Sequence, residues 1–559
     1  VKTKYIVISG GVISGIGKGI TSASIALLLQ QAHYQVTPIK CENYLNIDAG
    51  TINPIEHGDP FLCEDGTEAD MDLGSYEKFL HKNLGKDNFM TMGAIYKTVI
   101  DKERRFEYQG EDVEAIPHIT DEIQRRWQNA AKKDKAEIVV IELGGTAGEY
   151  QNIFYYEAAR ILALKNPGDV IHIHVGYMPT PSHLGEPKTK PIQLSVRSLN
   201  TMGIQPDFIV ARSEKIMDER RKNRFALFCN VMPDHILSVP DVEIIYAVPL
   251  IMNQQNFCEL ILKKLNLPVR KPNIQAWEKL VNHIKLVRSS QSSITIGIVG
   301  KYFATGEYQL RDSYAALFDA LEHAGWHENT NITTHWINAE LIMKNGPEKY
   351  LSQLDGLIVP IGWGERGAEG MIAAASFARK NKIPYLGLCY GMQLAAIAFA
   401  RDVLGLKDAN TQENKPQAKD LVIHLMPSQK KFMERRAYGG TMRLGAWLAK
   451  VKQNTLAWRA YEAHNGFLNI NTGLTSERHR HRYEFNDKYA RRFEKKGMHI
   501  SARSLVENLA EIIELDSKLH PYYLGTQGHP EYKSRPLTPH PIFIEYIKAC
   551  LKNKNNSTR

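Results

Sequence analysis

The chain has 559 residues, a formal charge of +9, 43% apolar residues and 23% charged residues. That length exceeds what one hydrophobic core usually supports, so two large domains are expected, and the composition excludes a disordered or fibrous chain. The mild positive excess suits polyanionic ligands without marking a nucleic-acid binder, and six scattered cysteines with no CxxC pair indicate neither a zinc site nor a disulfide framework but a reducing, cytoplasmic setting.

The opening VKTKYIVISGG reaches glycines after one short apolar run, too soon for a signal-peptide core. No later run reaches membrane-spanning length without a charge, so no membrane contact is expected. Short apolar runs at 5–9, 36–40, 137–142, 170–175, 207–211 and 244–248 alternate with amphipathic helical stretches. This rhythm predicts an α/β, Rossmann-like domain over 1–265, with a parallel sheet covered on both faces.

The first run leads into GGVISGIGKGITSASIALLL, residues 10–29, where glycines let backbone N–H groups converge at a helix N-terminus. A glycine turn alone would say little, but Lys18 at the helix start points to phosphate. The loop departs from the usual spacing: five residues separate Gly11 from Gly17, and Gly19 stands where Ser or Thr normally follows the lysine. Triphosphates bring magnesium, which takes hard carboxylate oxygens. Glu142 ends the run EIVVIE before a GG turn, at the carboxyl edge where such sheets place ligands. Asp72, in EDGTEADMDLG, reads equally well as a metal ligand or as part of a solvated acidic loop.

Residues 266–292 carry two prolines, a cationic amphipathic stretch and a serine-rich end, which predicts a linker. A second α/β domain is predicted over 293–551, with a polar tail at 552–559. Within it IPYLGLCYGMQLAAIAFA, 383–400, reads as strand, one-residue apex and helix, the arrangement that presents a strained nucleophile. Cys389 is that apex, where the positive helix end favours the attacking thiolate. GHPE, 528–531, offers His529 as proton carrier and Glu531 as its orienting acceptor, two residues on an extended segment whose side chains face the same way. Backbone N–H groups of Gly362 and Tyr390 would stabilise the oxyanion.

With these pieces in place the chain resembles the CTP synthase family from about residue 3 to residue 550, on the strings EDGTEADMDLGSYE, KERR, IPHIT, KTKPIQ, GIQPD, ALFCNV, RGAEGMI, GGTMRLG and RHRHRYE. The C-terminal motifs resemble those of class I glutamine amidotransferases, which implies a flavodoxin-like α/β fold there. The resemblance implies that ATP phosphorylates O4 of UTP and that ammonia released from glutamine displaces the phosphate to give CTP. It implies Ser14, Gly15, Ile16, Gly17, Lys18, Gly19 and Ile20 on the nucleotide phosphates, with Ser14 shared between ATP and UTP, and Lys18 and Lys40 at the transferring phosphoryl group. Asp72 and Glu142 become Mg2+ ligands, and Asp241 and Val242 adenine contacts. Lys188, Thr189, Lys190, Pro191, Ile192, Gln193 and Arg224 would clamp UTP. Gly362, Tyr390, Gly391, Met392, Gln393, Glu413 and Arg482 would hold glutamine. It further implies GTP as allosteric activator, CTP as feedback inhibitor, and a homotetramer able to form filaments.

Several positions depart from the family pattern. KxDPY is Lys40-Cys41-Glu42-Asn43-Tyr44, and GDIE, which would read inhibitory CTP, is Gly148-Glu149-Tyr150-Gln151. TVQ is Asp112-Val113-Glu114, which adds negative charge; with the previous change it predicts altered CTP feedback. PGGFG is Pro360-Ile361-Gly362-Trp363-Gly364, and QFHPE has Gly528 for Phe. Ile361 in glycine-only backbone angles would be strained, predicting a slower glutaminase. Nine residues separate Tyr302 from Asp312, a longer loop that would change the GTP response. The alternatives are a cobyrinic-acid type amidoligase, opposed by KTKPIQ and GIQPD, and a catalytically impaired, nucleotide-binding filament subunit, opposed by the retained Lys18, Asp72, Glu142, Cys389 and His529.

Overall fold

A computed structural model describes residues 2–183, 185–305, 308–309, 311–436 and 438–557. The chain divides into two compact units, Val1–Ala49 with Asp72–Asn282, and Gly50–Met71 with His283–Arg559.

The first unit is built on a seven-stranded parallel sheet. Its order is Phe89–Thr91, Val36–Glu42, Ile138–Leu143, Lys4–Gly11, Val170–Tyr177, Phe208–Ser213, Ile236–Pro240. The continuous apolar run of Lys4–Gly11 has a simple cause. Ile6 and Ile8 enter one core with Ile25, Leu28 and Leu29 of the helix Lys18–Gln31, while Tyr5 and Val7 enter another with Ile123 and Trp127 of the helix Thr120–Lys133. Each buried aliphatic side chain contributes about 1.5–3 kcal/mol, which is why both faces must be apolar.

One predicted strand is corrected. Residues 244–248 form a turn of 3-10 helix, Ile245–Ala247, running into the helix Val248–Gln254 with Pro249 in its first turn. Proline's fixed φ is preset for that position, and a five-residue apolar run does not by itself separate strand from helix. The edge strand there is Ile236–Pro240 instead. The stretch expected as linker carries the helix Gln275–Ser289, whose Trp277 stacks on Phe79 at 5.3 Å.

The second unit holds a nine-stranded mixed sheet. Asn331–Asn338, Ser293–Gly300, Gly356–Val359, Tyr385–Leu388 and Tyr523–Thr526 run parallel; Ala510–Leu515, Met498–Ser504, Arg443–Val451 and Leu474–His481 continue it antiparallel. Gly50–Met71, expected with the first domain, belongs here because it supplies partners to two buried arginines. Arg480 Nε reaches Glu68 Oε1 at 2.6 Å, and Arg478 Nη1 donates to the Leu62 carbonyl at 2.8 Å. A buried guanidinium left without them would be strongly destabilising. The last helix, Pro541–Ser557, extends into the stretch read as a polar tail, whose residues 558 and 559 lie outside the described residues. None of the six cysteines is in a disulfide. Among the described residues no helix is long and apolar enough to cross a membrane.

Candidate active sites

The glycine turn after Lys4–Gly11 takes left-handed angles at Gly15 (φ 74°) and at Gly17 (φ 85°), the residue that caps the helix Lys18–Gln31. Lys18 is buried and its Nζ donates to the Gly145 carbonyl at 2.7 Å. Burial pulls its ammonium below the ordinary lysine pKa, against the opposing pull of Glu142. Gly10 is needed beneath this side chain, since a Cβ there would lie 2.5 Å from Lys18 Cδ.

Gly19, the departure from the usual phosphate loop, has a direct cause. A Cβ at that position would lie 2.1 Å from Asp72 Oδ1, so the Asp72 carboxylate occupies the space beside the lysine that a Ser or Thr side chain takes elsewhere. Lys40 Nζ donates to Asp72 and, at 2.9 Å, to Glu142 Oε1; Glu42 Oε1 lies 3.2 Å away. Tyr76, fully buried, donates its hydroxyl to the other Glu142 oxygen. Glu42 and Asp72 present oxygens within 4.8 Å of each other. Hard carboxylate oxygens converging beside a phosphate loop are a donor set that fits magnesium. Glu42 is the carboxylate kept in the departing Lys40–Tyr44 motif, not expected as a ligand from the sequence, and Tyr76 escaped the sequence reading.

In the second unit the strand Tyr385–Leu388 and the helix Tyr390–Asp402 meet at Cys389, with φ 51° and ψ −99°. Such angles cost a non-glycine residue about 1–3 kcal/mol. The bend holds because the Cys389 N–H donates to the Thr526 carbonyl at 2.7 Å. A Cβ on Gly391 would lie 1.9 Å from the Val359 carbonyl oxygen, so only glycine allows this close approach. His529 Nδ1 and Glu531 Oε1 are 2.7 Å apart and buried. The HPE segment is not extended as predicted: Pro530–Lys533 is a 3-10 turn begun by the proline, and the tight turn still brings the two side chains together. Burial opposes a charged His529 ring, but the Glu531 carboxylate and the neighbouring Cys389 outweigh it and raise the imidazole to about 10. A cysteine, a histidine with a raised pKa and a carboxylate behind it are the parts of nucleophilic amide cleavage.

Residues 4–267 match the family described as "CTP synthase N-terminus", and residues 309–549 match "Glutamine amidotransferase class-I". A CTP synthase of Caldanaerobacter subterraneus is 44% identical over 99% of both chains, and one of Pyrococcus abyssi is 45% identical over 99% of this chain and 98% of its own. The chain belongs to the CTP synthase family. Its two units accordingly carry out glutamine-dependent conversion of UTP to CTP. A solved glutaminase domain of Trypanosoma brucei CTPS with bound acivicin is 30% identical, with a TM-score of 0.41, covering 46% of this chain and 94% of that one.

Other residues expected to serve a CTP synthase fall as follows. Arg212 Nη2 pairs with Asp241 Oδ1 at 2.9 Å, and its guanidinium carbon would stand 3.6 Å from a Cβ on Gly17. This places beside the glycine turn a cation that the sequence reading missed. The segment Lys188–Gln193 leads into the helix Lys190–Thr201, where Gln193 Nε2 donates to Thr189 Oγ1 at 3.0 Å. Ile192 is buried in the core, and a Cβ on Gly176 would lie 2.7 Å from it. Arg224 is exposed, its guanidinium 5.9 Å from the Phe228 ring centroid. Arg221 instead braces the Lys188 turn by donating from Nε to the Pro187 carbonyl at 2.9 Å. Glu149 turns into its own loop, accepting from Thr146 N at 2.8 Å, Thr146 Oγ1 at 2.6 Å and Asn43 Nδ2 at 3.2 Å, whereas Tyr150 is 94% exposed.

Around Cys389, Glu413 Oε1 accepts from Gly364 N at 2.8 Å and the Tyr390 hydroxyl donates to the Gly364 carbonyl at 2.9 Å. Lys301 Nζ donates to the carbonyls of Trp363 and Gly364, both at 2.7 Å, and burial lowers its pKa to about 8. These contacts fix the turn that carries Gly362. Ile361 does not take the strained angles expected of it: it is buried in the core without a positive φ, and Gly364 (φ 70°) is the left-handed residue of that turn. Gly528 is likewise fitted to its place, since a Cβ would meet Glu477 Cβ at 2.9 Å. Arg482 is held by Gln429 Oε1 and the Tyr438 carbonyl, both at 2.6 Å, and Met392 packs under Gly525. Residues 306, 307 and 310 of the long loop after Tyr302 lie outside the described residues.

Proposed function

We propose that the reaction is divided between two sets of residues. Lys18, Lys40, Asp72 and Glu142 bring ATP and UTP together so that O4 of the uracil takes the γ-phosphoryl group. Cys389, His529 and Glu531 release ammonia from glutamine. Phosphorylation turns a poor leaving oxygen into phosphate; ammonia adds at C4, phosphate departs, and loss of protons leaves the 4-amino group of CTP. The observation that carries this reading is the burial of Lys40 among the carboxylates of Glu42, Asp72 and Glu142 beside the phosphate loop.

Lys18 and Lys40 offset charge on the transferring phosphoryl group. Asp72 and Glu142 would hold Mg2+, which when bound neutralises triphosphate charge. Asp241 and Val242 serve adenine, and the Lys188–Gln193 segment serves UTP. Cys389 attacks the glutamine amide carbon, His529 protonates the amide nitrogen as the C–N bond breaks so that ammonia leaves, and water then hydrolyses the thioester to glutamate. Gly362 and Tyr390 N–H groups receive the oxyanion, while Glu413 and Arg482 hold the amino-acid end of glutamine. GTP as activator, CTP as inhibitor, a homotetramer able to form filaments and a cytoplasmic location belong to the same proposal; what supports them is family membership.

The test is incubation of the full chain with ATP, magnesium and UTP, with glutamine or with ammonium. CTP is expected from both nitrogen sources. Its absence from both would overturn the reading.

A further inference from the structure

Cys389 has a polar neighbour besides His529. Gln527 Nε2 lies 3.4 Å from Cys389 Sγ, and Gln527 is only 1% exposed. Its backbone N–H is tied to the Glu511 carbonyl at 2.8 Å, and the residue before it, Thr526, supplies the carbonyl that anchors Cys389 N. One short segment therefore positions both the sulfur and the amide that faces it.

The direction of that amide is set from behind. Gln393, four residues after Cys389 on the same helix, donates its Nε2 to Gln527 Oε1 at 3.1 Å and to the Tyr483 carbonyl at 3.0 Å. Since a backbone carbonyl can only accept, the Gln393 end that meets both oxygens is its NH2 group. The oxygen of Gln527 is thereby engaged, and the end of Gln527 turned to sulfur is the NH2 group. An NH2 group gains little from a thiol and much more from a thiolate, because hydrogen bonds to a charged acceptor are roughly twice as strong as neutral ones. Cys389 Sγ has an acceptor on another side, the Arg480 carbonyl at 3.8 Å, which suits the protonated thiol.

We propose that Gln527 is a catalytic residue of the glutaminase reaction, whose NH2 group holds the Cys389 sulfur as a thiolate and aims it before glutamine arrives. Gln393 is the positioning residue that fixes the amide. The proposal rests on the reading of Cys389 as nucleophile. Its consequence is that a charged sulfur would not depend on His529 alone.

The experiment is the pH dependence of iodoacetamide alkylation of Cys389 in the full chain without glutamine, with the modified residue located by mass spectrometry. Gln527→Leu removes the donor, and Gln393→Leu leaves the donor but frees it to turn. The alkylation midpoint is expected to move upward by about one pH unit in Gln527→Leu and by less in Gln393→Leu, and glutaminase kcat to fall about 10-fold or more in Gln527→Leu. Ammonium-dependent CTP formation should persist in both, and an unchanged circular dichroism spectrum and urea midpoint report an intact second unit. A midpoint unchanged in both variants, with Cys389→Ala devoid of glutaminase activity, would overturn the role of Gln527 alone. Glutamine hydrolysis surviving in Cys389→Ala would remove the nucleophile reading and this proposal with it.

Discussion

Gly19 and Asp72 are fitted to one another: the carboxylate of one fills the space that any side chain on the other would need, 2.1 Å from where a Cβ would stand. Gly19→Ala therefore displaces a carboxylate at the proposed phosphoryl-transfer site. CTP formation is expected to fall about 100-fold with glutamine and with ammonium alike, since a displacement of about 1 Å near the reacting groups has that effect. Glutamine hydrolysis should be unchanged. Assaying the two activities separately checks this, and a variant with wild-type CTP formation would show that Asp72 works equally well elsewhere.

A second expectation concerns acid. His172 Nε2, Ser9 Oγ, His174 and Ser195 Oγ form a buried chain with 2.8 Å at each link. Burial lowers both imidazoles to about 3. Between that value and the ordinary 6.5 the unfolded chain binds more protons than the folded one, so stability is lost as pH falls below 6.5. At pH 5 each histidine costs about 2 kcal/mol. The urea transition of the first unit should move to lower urea between pH 7 and pH 5, and His172→Gln should remove about half of that movement. Equal movement in both proteins would contradict the assignment.

The turn before His529 gives a third. Gly528→Ala places a Cβ 2.9 Å from Glu477 Cβ and 3.3 Å from the Arg478 carbonyl oxygen. Relieving that crowding costs about 1–3 kcal/mol or moves His529. Glutaminase activity is expected to fall while ammonium-dependent CTP formation persists. Urea midpoints together with the two assays separate lost stability from a displaced histidine.

What could be seen in the sequence was what is local. Cys389 between a strand and a helix, Lys18 at a helix start and Glu142 at a strand end are each set by a few neighbouring residues, and the periodicity around them shows it. The pairing of Gly19 with Asp72, the cation Arg212 beside Gly17 and the amide of Gln527 on Cys389 join residues far apart in the chain, so no spacing reveals them. The strand expected at 244–248 failed because five apolar residues fit either element, and Pro249 decided for helix. The strain expected at Ile361 failed because the turn places its left-handed angles at Gly364 instead.

On the proposed division of labour, ammonia production and its transfer to UTP depend on separate residues of one chain. Cys389→Ala tests it most directly, with CTP formation followed under saturating ATP, UTP and magnesium. No CTP is expected from glutamine, and a near wild-type rate is expected from ammonium. Loss of the ammonium-dependent rate as well, or retention of the glutamine-dependent one, would contradict it.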